Sequence, residues 1–176
     1  MNGCTSTPAT VNVVPDVPVL NVSNTGPYCE GETIHLAAAT PSAGAITWSW
    51  EGPAGYTSSV QNPTDATAAG NYTLTVTANG CSSEITSTTV IVHALPTAVA
   101  SNAGPYCVGD VIQLTGTTTN PAGATYQWTG PNGFTAAEQN PIITNLSSDN
   151  NGTYTVSASQ NGCQSGTSSV DVLVNA

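Results

Sequence analysis

The sequence contains neither lysine nor arginine, although it has ten aspartate and glutamate residues and a formal net charge of −10. Nucleic acids and anionic membrane surfaces are bound mainly through cationic side chains, so this composition argues strongly against both as partners. Trypsin-type proteases find no cleavage site, and only His35 and His93 could carry positive charge. The missing cations therefore predict a chain that binds no nucleic acid and forms no ordinary salt bridges.

Long apolar runs are also missing from the sequence. No stretch approaches the roughly 20 apolar residues that span a membrane, so we expect no membrane insertion. Charged residues make up only 6% of the chain, and Ser, Thr, Asn, Gln and Gly must therefore form most of its surface. This surface suits an extracellular location better than the cytosol. The N-terminus has no apolar signal segment, so we expect the segment that exports or anchors the protein to lie outside this sequence.

No residue pattern typical of an active site recurs along the chain. There is no repeated Ser-His-acid or paired-carboxylate arrangement and no phosphate-binding loop. His35 and His93 lack a second His or Cys at metal-ligand spacing, and the ten acidic residues are scattered. Glu30 and Glu32 could hold a cation weakly, but a solvated surface is the better interpretation. We therefore predict no enzymatic activity, no cofactor and no metal site.

What the sequence does contain is a repeat with a fixed offset of 78 residues. Three segments recur at this offset: Asn24-Thr-Gly-Pro-Tyr-Cys29 as Asn102-Ala-Gly-Pro-Tyr-Cys107, Trp50-Glu-Gly-Pro-Ala-Gly-Tyr56 as Trp128-Thr-Gly-Pro-Asn-Gly-Phe134, and Gln61-Asn-Pro63 as Gln139-Asn-Pro141. Such a period is typical of a domain array. We assign residues 16–93 and 94–176 to two repeats. Residues 1–15 match the last strand of a preceding repeat whose body is missing, so we expect the chain to be a segment of a longer array.

Alternating apolar residues, punctuated by Gly, Pro and Asn, predict short antiparallel strands and almost no helix. In the second repeat the predicted strands are Thr97–Ser101, Val111–Thr115, Thr125–Trp128, a weak stretch over Gln139–Ile143, Gly152–Ala158 and Thr167–Val174. In the first repeat they are Thr33–Ala37, Ile46–Trp50, Asn71–Thr77 and Thr86–Val92. Asn-Gly before Cys81 and Cys163 is a hairpin signal.

One pair of aromatic residues lies on the third predicted strand of each repeat. Trp48 and Trp50 align with Tyr126 and Trp128. Positions i and i+2 of a strand face the same side, so both members of each pair should point inward. Core packing is therefore favoured over a sugar-stacking platform.

About seven strands, an inward Trp on the third and a Gly-x-Tyr opening the sixth resemble an immunoglobulin-like sandwich. Asp149-Asn-Asn-Gly-Thr-Tyr154 resembles the tyrosine corner of that fold, whereas Gly70-Asn-Tyr72 keeps the Tyr with Thr67 in the Asp position. The motifs Cys-x-Gly-[Glu/Asp], Trp-x-Gly-Pro-x-Gly-[Tyr/Phe] and Asn-Gly-Cys are together similar to the Ig-like repeats of giant Bacteroidota cell-surface adhesins, including those of gliding cells. This resemblance covers residues 16–176. It implies an all-β protein of tandem immunoglobulin-like β-sandwich domains in an end-to-end array.

Five cysteines at repeat-linked positions indicate an oxidising compartment and disulfides. Cys29 and Cys107 precede the second strand of their repeats, and Cys81 and Cys163 follow the sixth. The simplest pairing is within a repeat, Cys29–Cys81 and Cys107–Cys163. Cys4 then needs a partner outside the chain.

Immunoglobulin topology opposes the pairing within a repeat. The start of the second strand and the end of the sixth lie some 20 Å apart, whereas the Cα atoms of a disulfide lie about 4.4–6.8 Å apart. The alternative joins consecutive repeats through Cys29 and Cys163. We favour pairing within a repeat, since a bulge or an altered strand order could bring the cysteines together.

The functional hypothesis is a structural and adhesive segment of a secreted surface adhesin or extracellular filament, a rod of disulfide-reinforced repeats. Its expected partners are neighbouring repeats or identical subunits, and residues 4–14 could complete a neighbouring chain by strand addition. The alternative is a carbohydrate-binding module that contacts surface glycans through Tyr56 and Phe134 at the turn tips, although hydrophobic residues that cover turns are more often structural. A third possibility is a set of accessory domains in a secreted enzyme.

Overall fold

The computed structural model describes residues 19–41 and 44–175, which divide into two compact units. The described part of unit 1 is 19–26, 33–41 and 44–90, and that of unit 2 is Pro27–Glu32 together with 91–175. Pro27–Glu32 thus belongs to unit 2, although it lies in the first sequence repeat. The predicted orphan strand in residues 1–15, with Cys4, lies outside the described residues.

Twenty short strands and three 3₁₀ turns make up the regular structure of the described residues. The strands up to the repeat boundary are β1 (Asn21–Asn24), β2 (Tyr28–Cys29), β3 (Leu36–Ala39), β4 (Ile46–Glu51), β5 (Thr57–Ser58), β6 (Gly70–Ala78), β7 (Cys81–Ser82), β8 (Thr86–Val90) and β9 (Val92–His93). The remaining strands are β10 (Val99–Ser101), β11 (Tyr106–Cys107), β12 (Ile112–Gln113), β13 (Thr115–Thr117), β14 (Thr125–Thr129), β15 (Thr135–Ala136), β16 (Ile142–Ile143), β17 (Gly152–Gln160), β18 (Cys163–Gln164), β19 (Ser168–Val172) and β20 (Val174–Asn175). No helix in the described ranges is long and apolar enough to cross a membrane.

Each unit contains one larger antiparallel sheet and smaller strand pairs. In unit 1 the sheet runs β5-β4-β6-β7, with β8 also paired to β6, and β1 pairs with β3. Unit 2 repeats this arrangement as β15-β14-β17-β18, with β19 on β17 and β10 on β13. Two pairs in unit 2 are parallel, β2 with β9 and β11 with β20. The predicted strands are therefore present, with ends that differ by a few residues.

The core of each unit is built around the tryptophan of its third predicted strand. Trp50 on β4 and Trp128 on β14 are fully buried, and Tyr126 is buried beside Trp128. Trp48 remains half-buried. The predicted core role is confirmed for Trp50, Tyr126 and Trp128, because alternation along the strand sends these rings to the interior face, whereas Trp48 keeps part of its indole exposed.

The predicted tyrosine corners are present in both units. The Tyr72 hydroxyl donates to the Ala68 carbonyl at 2.7 Å, and the Tyr154 hydroxyl donates to the Asn150 carbonyl at 3.2 Å. Both rings are buried and need close backbone approach, since a Cβ at Gly130 would lie 2.5 Å from Cδ1 of Tyr154. Thus the first Gly of Trp-x-Gly-Pro-x-Gly leaves room for the corner tyrosine. The replacement of Asp by Thr67 does not prevent the corner from forming.

The recurring Gln-Asn-Pro motif ties the tryptophan to a strand of the opposite sheet. The Trp128 indole N–H donates to the Gln139 carbonyl at 3.3 Å, and the Gln139 amide donates to the Gly116 carbonyl at 2.8 Å. The Asn140 side chain accepts the Gly116 N–H at 3.2 Å. Gln61 and Asn62 make the same contacts in unit 1. Sequence reasoning identified the motif but missed this function, which its fixed spacing from Trp could have suggested.

Candidate functional site

Tyr56 and Phe134, the predicted ligand contacts, follow tight 3₁₀ turns at Pro53–Gly55 and Pro131–Gly133. Ala54 and Asn132 have φ angles of 54° and 55°, so each turn holds a non-glycine residue in the left-handed region. The N–H of Tyr56 returns to the Pro53 carbonyl at 3.1 Å and closes the turn. The turn therefore fixes where the following ring lies.

Both rings pack against the tyrosine corners and stay half-buried, which differs from the expected exposure. The ring of Tyr56 meets that of Tyr72 edge to face, with centroids 5.4 Å apart, and the ring of Phe134 meets that of Tyr154 in the same way. Edge-to-face pairs of this kind contribute about 0.5–1.5 kcal/mol beyond area burial. The geometry gives both residues a structural role, and ligand contact by them stays a prediction.

Tyr56 differs from Phe134 by a hydroxyl group that donates to Asp65 Oδ1 at 2.6 Å. Partial burial of the ring, followed by this hydrogen bond to the carboxylate, raises the pKa of Tyr56 to about 12. Burial also raises the pKa of Tyr154, with a hydrogen bond from the Asn150 side chain acting in the opposite direction. Neither tyrosine is poised to ionise near neutral pH, so neither is suited to act as an acid or a base there.

The raised pKa of Tyr56 predicts a loss of stability at alkaline pH. An ordinary tyrosine ionises near pH 10, so the unfolded chain loses this proton before the folded protein does. The stabilising contribution is complete below pH 10 and is lost as the pH rises toward about 12. The free energy of unfolding, measured with denaturant between pH 9 and about 12, should fall less steeply with pH for Tyr56→Phe than for the unmodified protein. An identical pH dependence in both proteins would contradict the assignment.

An open groove lies beside the Tyr56 turn in unit 1. Its volume is about 470 Å³, and it is lined by Trp48, Ser49, Trp50, Thr57, Ser58, Ser59 and Val60. A similar groove of about 410 Å³ in unit 2 is lined by Phe134, Thr135, Ala136, Glu138, Asn140, Pro141 and Ile142. Only the first groove offers a half-exposed indole with neighbouring hydroxyl groups.

The Cys-x-Gly-[Glu/Asp] motif forms a turn that holds a cysteine in a fixed position. The N–H of Glu32 donates to the Cys29 carbonyl at 3.0 Å across the turn, and Gly31, with φ of 89°, takes the position that needs a positive φ. The Glu32 carboxylate accepts the Cys29 N–H at 2.7 Å. Asp110 accepts the Cys107 N–H at the same distance. The acidic residue therefore caps its own turn, which gives Glu32 a local structural function.

The structure contains a disulfide between Cys29 and Cys163, both in unit 2, with Cα atoms 5.5 Å apart. In the sequence it joins the first repeat to the second, so the favoured pairing of Cys29 with Cys81 is wrong and the alternative is found. Cys107–Cys163 is excluded as well, and the cause is the length of β17. Cys163 pairs with Gln160 at one end of this nine-residue strand. Cys107 pairs with Asn175, three residues beyond Val172, which pairs with the other end of this strand roughly 27 Å from Gln160.

Cys81 and Cys107, which were also predicted as disulfide cysteines, are free thiols in the described structure. Cys81 is half-buried and Cys107 is exposed. His35 is exposed, as expected for an outward strand position, and His93 lies on β9 beside Cys29. Within residues 19–41 and 44–175, no three His, Cys, Asp or Glu side chains are grouped so as to hold a metal ion.

The structure is similar to several solved immunoglobulin-domain proteins. The N-terminal eight Ig domains of Down syndrome cell adhesion molecule align with a TM-score of 0.54 and 15% identity, over 91% of this chain and 25% of that one. One chain in the complex of the mouse coronavirus receptor-binding domain with its murine receptor aligns with a TM-score of 0.53 and 15% identity, over 89% of this chain and all of that chain. Immunoglobulin domains 1–5 of Sidekick-1 align with a TM-score of 0.50 and 14% identity, over 90% of this chain and 39% of that one.

No family model matches the sequence. No curated protein matches it either. The chain spans a quarter and about two fifths of the Down syndrome cell adhesion molecule and Sidekick-1 chains. At 14–15% identity these likenesses show the fold alone. The protein is all-β and consists of immunoglobulin-like repeats, as predicted.

Proposed function

We propose that the chain is a structural and adhesive segment of a secreted cell-surface adhesin or extracellular filament, in which disulfide-reinforced repeats form a rod. The observation that carries this proposal is the Cys29–Cys163 bond, which closes a loop with a sequence separation of 134 residues. When the chain is pulled at its ends, the bond transmits tension from one cysteine to the other. The chain between Cys29 and Cys163, which is most of the two repeats, then carries no tension. A stable bond of this kind suits an oxidising extracellular compartment.

The surface and the sheet edges support a role in a fibre. A net charge of −10 without any cation keeps parallel copies apart in solution. The outer strands β5 and β15 contain only two residues each, so they present little free edge for unwanted pairing. One structural neighbour is named as a cell adhesion molecule. We propose neighbouring repeats or identical subunits as the partners of this chain, without an enzymatic activity.

Single-molecule extension of the full chain, held at its two ends, tests the proposed rod. In oxidising buffer we expect the residues between Cys29 and Cys163 to stay out of the measured contour length, even after the units unfold. Reduction should release this loop, which has a sequence separation of 134, and add roughly 450 Å at about 3.3–3.6 Å per residue.

Cys107→Ser is the matched control for the extension experiment, because Cys107 lies in the same type of turn but forms no bond. This variant should behave like the unmodified chain, whereas Cys29→Ser should extend fully without reductant. A full extension of the unmodified chain in oxidising buffer, unchanged by reductant, would contradict the reinforced rod.

The groove around Trp48 favours a second candidate function, the binding of a surface glycan. Sugars stack on exposed aromatic rings, and the hydroxyl groups of Thr57 and Ser58 could hydrogen-bond to them. In a glycan array, this candidate predicts a bound sugar whose retention is lost in Trp48→Ala and is unaffected in Phe134→Ala, at the other groove. Retention lost in Tyr56→Ala and Phe134→Ala, but not in Trp48→Ala, would instead indicate the turn-tip residues. Absence of any bound glycan would leave the structural role alone.

A further inference from the structure

The two free thiols occupy the two positions whose repeat counterparts are bonded. Cys107 is the second-repeat counterpart of Cys29, in Gly-Pro-Tyr-Cys-x-Gly-[Glu/Asp]. Cys81 is the first-repeat counterpart of Cys163, in Asn-Gly-Cys. The chain therefore contains one disulfide, together with a free counterpart of each of its two cysteines.

The local structure of Cys107 matches that of Cys29. Cys29 lies on β2, which pairs in parallel with β9, and Cys107 lies on β11, which pairs in parallel with β20. Both backbone N–H groups donate at 2.7 Å to the acidic residue three positions later. The turn that presents the bonded cysteine is thus fully formed around the free one.

The local structure of Cys81 matches that of Cys163 in the same way. Both cysteines follow an Asn-Gly turn and pair with the last residue of a nine-residue strand, Ala78 for Cys81 and Gln160 for Cys163. The serine two positions after each cysteine also makes a matching hydrogen bond. The Ser83 N–H donates to the Val76 carbonyl at 2.7 Å, and the Ser165 N–H donates to the Ala158 carbonyl at 2.8 Å. Neither free thiol needs a rearranged backbone in order to form the bond.

The surroundings of the two free thiols are more open and more apolar than those of the bonded pair. Cys163 is only 1% exposed, whereas Cys81 is half-buried. Val108, next to Cys107, is 56% exposed, and Ile85, four residues after Cys81, is 72% exposed. The corresponding residues beside the bonded cysteines are Glu30 and Thr167. Each free thiol thus has an exposed apolar neighbour at a position where the bonded cysteine has a polar one.

We propose that Cys107 of one molecule forms a disulfide with Cys81 of a second copy, which repeats between molecules the bond that Cys29 and Cys163 form within one. The two ends of this contact differ, so it is heterologous and generates open linear chains rather than closed dimers. The proposal requires only the observed bond and its repeat counterparts. It stands whether or not the protein is adhesive.

Formation of this bond removes two electrons and two protons from the two thiols, and a disulfide such as oxidised glutathione accepts both. The Cys81 thiolate attacks glutathione disulfide and releases one reduced glutathione. The exposed Cys107 thiolate then attacks the Cys81 sulfur of this mixed disulfide and releases the second. Because each copy carries a charge of −10, association should be faster at higher ionic strength, where the Debye length is short.

A complementation experiment with the full 176-residue chain tests the head-to-tail bond. All samples carry Cys4→Ser, because Cys4 also follows Asn-Gly. With oxidised glutathione, protein with both thiols should give a ladder of oligomers on a non-reducing gel. Cys81→Ser alone and Cys107→Ser alone should remain monomeric, whereas their mixture should give one heterodimer. When the heterodimer is cleaved after glutamate without reduction, fragment 52–84, which contains Cys81, should remain linked to fragment 85–138, which contains Cys107.

Three results would overturn the proposal. These are homodimers of either single variant in amounts equal to the heterodimer, a Cys81–Cys107 bond within monomers, and thiols that stay free after oxidation. Each variant should retain the Cys29–Cys163 bond, seen as fragment 1–30 linked to fragment 139–176, which shows that the substitutions leave the fold intact. Loss of adhesion or of mechanical reinforcement would not affect this outcome.

Discussion

Replacing Cys29 by serine lowers the free energy of unfolding of the full chain by on the order of 4 kcal/mol. The cross-link spans 134 residues and removes conformational entropy from the unfolded chain, and loops of this length lie at the upper end of the entropic scale. The substitution also leaves Cys163 as a buried thiol without its covalent partner. Denaturant unfolding followed by circular dichroism, with and without reductant, measures the loss.

The repeat supplies a matched control for this substitution. Cys107→Ser changes the same atom, in the equivalent turn of the second repeat, at a position that forms no bond within the chain. Its effect should stay within about 0.5 kcal/mol, as for most surface substitutions. Equal losses in the two variants would mean that the turn, and not the bond, accounts for the effect.

Replacing Trp128 by alanine destabilises unit 2 by about 3–5 kcal/mol. The side chain is fully buried between the two sheets, and its removal leaves a cavity that the surrounding β structure can only partly fill. The Gln139 carbonyl also loses the indole N–H that it accepts at 3.3 Å. Thermal unfolding monitored by the near-ultraviolet signal reports the change.

Gln127→Ala on the same strand is the control for Trp128→Ala. Its side chain points to the exposed face of β14, so the expected effect is within about 0.5 kcal/mol. A loss of comparable size for Gln127→Ala would indicate that strand propensity, rather than core packing, controls the stability of this unit.

The fold could be predicted from the sequence because local patterns determine it. Alternation placed Trp50 and Trp128 in the core, and Asn-Gly turns positioned the hairpins before Cys81 and Cys163, where Asn79 and Asn161 take positive φ angles. The tyrosine corner followed from a short motif. These features depend on neighbours a few residues apart, and the repeat presents each of them twice.

The disulfide pairing could not be predicted with the same success, since it depends on contacts between distant segments. The distance argument against pairing within a repeat was correct. The nine-residue strand β17 separates Cys107 from Cys163 in space, and no bulge shortens it. The sequence did not reveal that Pro27–Glu32 belongs with unit 2, which brings Cys29 to Cys163. The half-burial of Tyr56 and Phe134 was missed because turn-tip residues are usually exposed, and here the corner tyrosines receive both rings.

Disulfide mapping of the oxidised, unreduced chain tests the central claim most directly. The protein has no trypsin site, so cleavage after glutamate is required, and Cys4→Ser leaves Cys29 as the only cysteine in fragment 1–30. We predict that this fragment is linked to fragment 139–176 through Cys163. Fragment 1–30 linked instead to fragment 52–84, through Cys81, would contradict the bond between consecutive repeats and the load path built on it.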